Sequence, residues 1–123
     1  MTETHLQQQV VQWLSLYARK CNFVYFAPMN ENAMQMLKIA GIPKKRRMQI
    51  YQSMLKKGFL PGVSDLIILQ DGKAYCIELK VGKNKQSEKQ ILFMNNVLKT
   101  GIDYTVAYSL EEVQAVVRGW GII

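Results

Sequence analysis

The chain has 123 residues, 49% hydrophobic and 20% charged, which is ordinary globular composition and enough for one domain, 1–123, but not for two. Its net charge of +7 points to a polyanionic partner. No apolar stretch approaches the roughly 20 residues of a membrane-crossing helix, the start is no secretory signal, and two cysteines outside any Cys-x-x-Cys spacing with one histidine exclude a zinc ribbon, a redox pair and a His-rich zinc site.

Residues 4–20 place Leu6, Val10, Leu14 and Tyr17 on one helical face, with Val11 and Trp13 beside them. Thr2 or Thr4 suits the N-cap, and Arg19 and Lys20 suit the C-terminal end. Glu3 fits there as a first-turn acid that favours the helix dipole. Phe23–Ala27 reads as a short strand ended by Pro28, residues 29–32 as a loop, and Ala33–Ala40 as weakly helical before Gly41 and Pro43. A second helix is expected over Lys44–Lys57, with Met48, Ile50, Tyr51, Met54 and Leu55 as its apolar face and Gly58 as its stop.

The charge is concentrated in this region. Between Asn32 and Ser64 there is no acid, whereas Lys38, Lys44, Lys45, Arg46, Arg47, Lys56 and Lys57 all lie there. Cations at a helix start oppose its dipole, so Lys44, Lys45, Arg46 and Arg47 are candidate contacts to a nucleic acid; a solvated basic helix is the structural alternative. Lys83 and Lys85 are added to the same candidate surface.

Gly62–Lys80 organises the chain. Asp71-Gly72 between two β-rich runs favours a two-residue type I′ turn, which sets Gln70 opposite Lys73 and, counting outward, Asp65 opposite Glu78. Facing carboxylates at such spacing repel, and alternation puts Lys80 on the face of Glu78. Either Lys80 neutralises a surface acid cluster, or the acids hold a hard divalent cation such as Mg²⁺. Leu66, Ile68, Tyr75, Ile77 and Leu79 share one face of the hairpin. Ile67, Leu69, Ala74 and Cys76 share the other, which predicts a mid-sheet position with cover on both sides. Downstream, Ser87-x-x-Gln90 and Ser109-x-x-Glu112 read as capping boxes opening helices over 87–99 and from 109 to about Arg118, with a strand over Tyr104–Tyr108 between them.

Asp65, a dozen residues of apolar hairpin, then Glu78-x-Lys80 resembles the signature of the PD-(D/E)XK nucleases. Gly-Phe-Leu-Pro-Gly-Val-Ser-Asp-Leu-Ile-Ile-Leu (58–69) with Ile-Glu-Leu-Lys (77–80) resembles the VRR-NUC family among them, and the likeness runs through Ser87–Gln90 and Gly101 to the end. Ser64 stands where many members have proline. The resemblance implies an α/β fold, a mixed sheet flanked by helices with a restriction-endonuclease-like core, and metal-dependent hydrolysis of DNA phosphodiesters. It further implies that Asp65, Glu78, the Leu79 carbonyl and Glu3 hold Mg²⁺ or Mn²⁺. Lys80 would orient the attacking water and stabilise developing negative charge, Gln90 would join the catalytic residues, and Gln7 would contact DNA beside the site. The substrate implied is branched DNA such as four-way (Holliday) junctions, cut by a homodimer, in a cytoplasmic protein of phage or prophage type. A non-catalytic DNA-binding module and a repair nuclease for flapped or linear duplex are the alternatives.

Overall fold

A computed structural model describes residues 1–123. Along the chain run α1 (Glu3–Tyr17), β1 (Val24–Phe26), α2 (Glu31–Ile39), α3 (Lys44–Lys56), β2 (Leu66–Gln70), β3 (Lys73–Leu79), α4 (Glu88–Lys99), β4 (Asp103–Ala107) and α5 (Leu110–Gly119). The four strands form one sheet in the order β1-β2-β3-β4, antiparallel except for the parallel pair β3–β4 that α4 connects. The α/β fold with a mixed, helix-flanked sheet is therefore as expected.

The hairpin obeys its turn. Asp71 and Gly72 both have positive φ, 50° and 76°, as type I′ geometry requires. Gln70 pairs with Lys73, and the ladder runs to Leu66 opposite Ile77, which leaves Asp65 and Glu78 as the next facing positions. Leu66, Ile68, Tyr75, Ile77 and Leu79 are buried in one core with Leu6, Val10, Trp13 and Leu14 of α1, Ala107, and Val113 and Val117 of α5. Each such aliphatic side chain contributes about 1.5 to 3 kcal/mol on burial. Tyr75 packs on Trp120 with ring centroids 5.1 Å apart.

The opposite face is covered only in part. There α4 packs on β4, Phe93 against Tyr104, and reaches β3 through the Gln90–Glu78 bond, and Cys76 is buried. Towards β1 the cover stops, leaving Val24, Phe26 and Leu69 exposed. The hairpin sits mid-sheet as expected, but the expected cover on both sides is incomplete on this face: one helix spans about the width of two strands, and no second helix packs beside α4.

Helix ends show smaller corrections. Thr2 caps α1, but α1 stops at Tyr17, so Arg19 and Lys20 lie beyond it. The Ser87 capping box is complete. At α5, Ser109 accepts from the Glu112 N–H, while Glu112 reaches back to the Tyr108 N–H in place of Ser109's own, so that box closes one residue early.

Between β1 and β2, α2 and α3 form a helical hairpin in which no residue is buried. Gly41, with φ of 80°, turns the chain between them, and Tyr51 packs edge-on against Phe59 at its base. No helix is long and apolar enough to cross a membrane.

Candidate active site

β2, β3 and α4 bring Asp65, Glu78, Lys80 and Gln90 together, and α1 adds Glu3. Asp65 sits one residue before β2, 9% exposed; Glu78 is 1% exposed and Lys80 7%. Burying three charged groups side by side is costly unless they compensate one another or hold a ligand, so this cluster carries no obvious benefit to the fold.

The contacts are specific. Asp65 Oδ2 accepts the Leu79 N–H at 2.8 Å and Oδ1 accepts from Asn30 Nδ2 at 3.3 Å. Glu78 Oε1 accepts from Gln90 Nε2 at 3.0 Å and lies 3.7 Å from Lys80 Nζ. Lys80 Nζ is also 3.9 Å from Glu3 Oε1, and Glu3 Oε2 accepts from Asn84 Nδ2 at 2.8 Å. The Lys80 amine thus bridges Glu78 and the half-exposed Glu3. Glu3 stands on the far side of Lys80, and no three acidic, histidine or cysteine side chains form one ligand cluster.

One atom is out of balance. Glu78 Oε2 is buried with no hydrogen-bond partner, the only such side-chain atom in the molecule. Burial, and then the Asp65 charge, pushes the Glu78 carboxyl up to about 9. Asp65 is also raised by burial, against the opposing pull of the Leu79 N–H. Two carboxylates so placed cannot both ionise easily. Asp65 has a donor on each oxygen, whereas Glu78 has one on Oε1 from Gln90 and none on Oε2, so the shared proton favours Glu78. An unpartnered buried oxygen beside a second carboxylate fits a hard cation, which takes oxygen ligands.

Tyr104 lies on the same sheet face. Its hydroxyl accepts from Gln86 Nε2 at 3.2 Å, and burial followed by the Glu78 charge raises its phenol above the ordinary value. Burial likewise raises the Cys76 thiol. Ser64, fully buried, donates to the Leu66 carbonyl at 3.2 Å, so the residue before Asp65 is held by its side chain.

Gln90 is at once cap and site residue, since its Oε1 accepts the Ser87 N–H. Leu79 offers backbone only, its side chain being in the core. Gln7 is one turn along α1 and lines a cleft with Thr4 and Asn32. Lys83 and Lys85 are exposed on the loop after β3, and Lys44, Lys45 and Arg46 are exposed on α3. Arg47 is turned back, its Nη1 donating to the Ile42 carbonyl at 2.6 Å.

Sequence reasoning missed Asn30 and Asn84. Asn30 follows Pro28-Met29 and precedes a helix, an N-cap signal that was available. Its bond to Asp65, and that of Asn84 to Glu3 across 81 positions of chain, leave no local trace.

No curated protein and no solved structure matches the chain. The VRR-NUC domain family matches residues 1–111, a span that includes α1, the hairpin, α4 and β4 and hence every residue of the site. The chain belongs to the VRR-NUC family, whose domain is a PD-(D/E)XK-like nuclease that acts on DNA.

Proposed function

We propose that the protein is a divalent-cation-dependent endodeoxyribonuclease that hydrolyses phosphodiester bonds in branched DNA, four-way junctions in particular. The orphaned Glu78 Oε2 beside Asp65 is the observation that carries the cation dependence. In this reading Asp65, Glu78 and the Leu79 carbonyl would hold Mg²⁺ or Mn²⁺, with Glu3 joining them directly or through water. When bound, the ion lowers the pKa of water and offsets charge on the phosphoryl oxygens.

The chain's own groups do the rest. Lys80 Nζ, fixed between Glu78 and Glu3, orients the attacking water and meets negative charge as it develops. Gln90 keeps Glu78 in its rotamer through the 3.0 Å bond. Lys44, Lys45 and Arg46 on the α2–α3 hairpin, with Lys83 and Lys85 after β3, contact phosphates, and Arg47 shapes the turn that presents them. Gln7 approaches the backbone from α1. The branched substrate and the homodimer are carried by the family resemblance, and a homodimer would supply two sites related by the symmetry of a junction.

The test is incubation of purified protein with an end-labelled four-way junction, a flap and a linear duplex, each with Mg²⁺, Mn²⁺ or EDTA, alongside Asp65→Asn. Cleavage of the junction with either metal, none in EDTA and none by the variant is the expected result. Cleavage in EDTA would refute the cation dependence, and a preference for the linear duplex would refute the branched substrate.

A further inference from the structure

Asn30 belongs to the basic helical hairpin and to the site at once. Its Oδ1 accepts the Asn32 N–H at 3.0 Å and so caps α2, while its Nδ2 donates to Asp65 Oδ1 at 3.3 Å. The far end of the same hairpin is fastened beside it, where Glu31 Oε1 accepts the Gly62 N–H at 3.0 Å. Gly62 in turn presses on the first turn of α4: with φ of 84°, a Cβ at this position would meet the Lys89 carbonyl oxygen at 2.2 Å. Gln90, next in sequence to Lys89, holds Glu78. One buried carboxylate is therefore gripped from the root of the helical hairpin by Asn30, and the other by Gln90 on the turn of α4 that Gly62 touches.

A carboxylate offers about four lone-pair positions. The Leu79 N–H and the Asn30 amide take two on Asp65, one on each oxygen, which fixes the plane of the group and leaves the others free. Without the amide, Asp65 is held by one bond to Oδ2, and its Oδ1 is free to turn.

We infer that Asn30 is a positioning residue for the cation site, setting the Asp65 carboxylate from the base of the basic hairpin. This rests on the reading that Asp65 and Glu78 hold a divalent cation. Partners that orient a metal ligand are worth about 10- to 100-fold in metal affinity or activity.

Asn30→Ser separates this role from helix capping, because serine is also a good N-cap but lacks the amide donor. Mn²⁺ is titrated calorimetrically into the whole protein without DNA, and thermal unfolding is followed in EDTA. The expected result is an Mn²⁺ Kd weakened about 10- to 100-fold with Tm near that of the wild type. Glu31→Ala, which loosens the hairpin but leaves the Asn30 donor, is expected to keep the wild-type Kd. Equal Mn²⁺ affinity of Asn30→Ser and wild type overturns the role of Asn30 alone, as does equal weakening by both variants. If the wild type takes up no Mn²⁺, or Asp65→Asn binds it as well, the cation site and the role of Asn30 fall together.

Discussion

Gln90 donates to Glu78 Oε1 at 3.0 Å through Nε2 while its Oε1 accepts the Ser87 N–H at 2.9 Å. One amide thus closes a helix cap and holds a buried carboxylate. The two roles separate by substitution. Ser87→Ala removes the cap acceptor and leaves the Glu78 interaction, so it is expected to lower stability by about 1 kcal/mol with cleavage unchanged. Gln90→Met keeps the backbone N–H that Ser87 Oγ accepts but removes the side-chain bonds to the Ser87 N–H and to Glu78, and cleavage is expected to fall about 10- to 100-fold because Glu78 loses its hydrogen-bonding partner. Urea unfolding and single-turnover cleavage on the same preparations check this, and equal rates for the two variants would reduce Gln90 to a cap.

The Glu78 carboxyl gives the metal-free protein an unusual pH dependence. Its value is about 9 in the folded state against an ordinary 4.5, so between these limits the folded protein holds a proton that the unfolded chain has released. Stability falls with rising pH wherever the folded state binds more protons. In EDTA, unfolding free energy should therefore decline from about pH 4.5 towards 9, and Asp65, also raised, acts in the same direction. Glu78→Gln should flatten the slope and match or exceed wild-type stability at the alkaline end. Denaturant unfolding at pH 5, 7 and 8.5 measures it, and a wild-type stability that rises across this window would contradict the protonated state.

Lys80 distinguishes a nuclease centre from a neutralised acid cluster. If it acts on water and developing charge, Lys80→Met should bind Mn²⁺ and DNA as the wild type does yet cut about 10² to 10³ times more slowly, the effect typical of removing one preorganised donor. Single-turnover cleavage at saturating Mg²⁺ with calorimetric Mn²⁺ binding reads both quantities. A wild-type rate would return Lys80 to the role of counter-ion for Glu78 and Glu3.

On the basic hairpin the structure separates residues that the sequence groups together. Neutralising Lys44, Lys45 and Arg46, all exposed, should reduce the slope of log K against log salt by about 0.9 for each duplex phosphate that is no longer neutralised. Arg47→Ala should scarcely alter that slope and should instead destabilise the turn, since its guanidinium is bound to the Ile42 carbonyl. Fluorescence anisotropy at several salt concentrations decides, and a slope change for Arg47 equal to that of its neighbours would place its side chain on DNA.

The features legible in the sequence follow local rules. The Asp71-Gly72 turn dictates a register, the register dictates that Asp65 faces Glu78, and alternation adds Lys80; each step depends on residues at most a few positions apart in the ladder. Ser87 and Gln90 are legible as a cap by the same locality. What escapes depends on distant packing. That α4 covers only half of its sheet face follows from where helices settle, and the bonds Asn30–Asp65, Glu31–Gly62 and Asn84–Glu3 join segments whose proximity no periodicity encodes. Arg47 shows the converse, a residue whose cationic type is plain in the sequence but whose donor is satisfied within its own turn.

The helical hairpin contributes no buried side chain, and this has a bearing on how the protein can change. Substitutions on most surfaces away from a core alter stability little, so the cations of α3 can be added, removed or moved while the sheet and its carboxylates stay as they are. On the proposal that these cations contact DNA, preference among DNA shapes would be adjustable independently of chemistry, with the few side chains at the root of the hairpin, Asn30 and Glu31 among them, as the positions where such drift must stop.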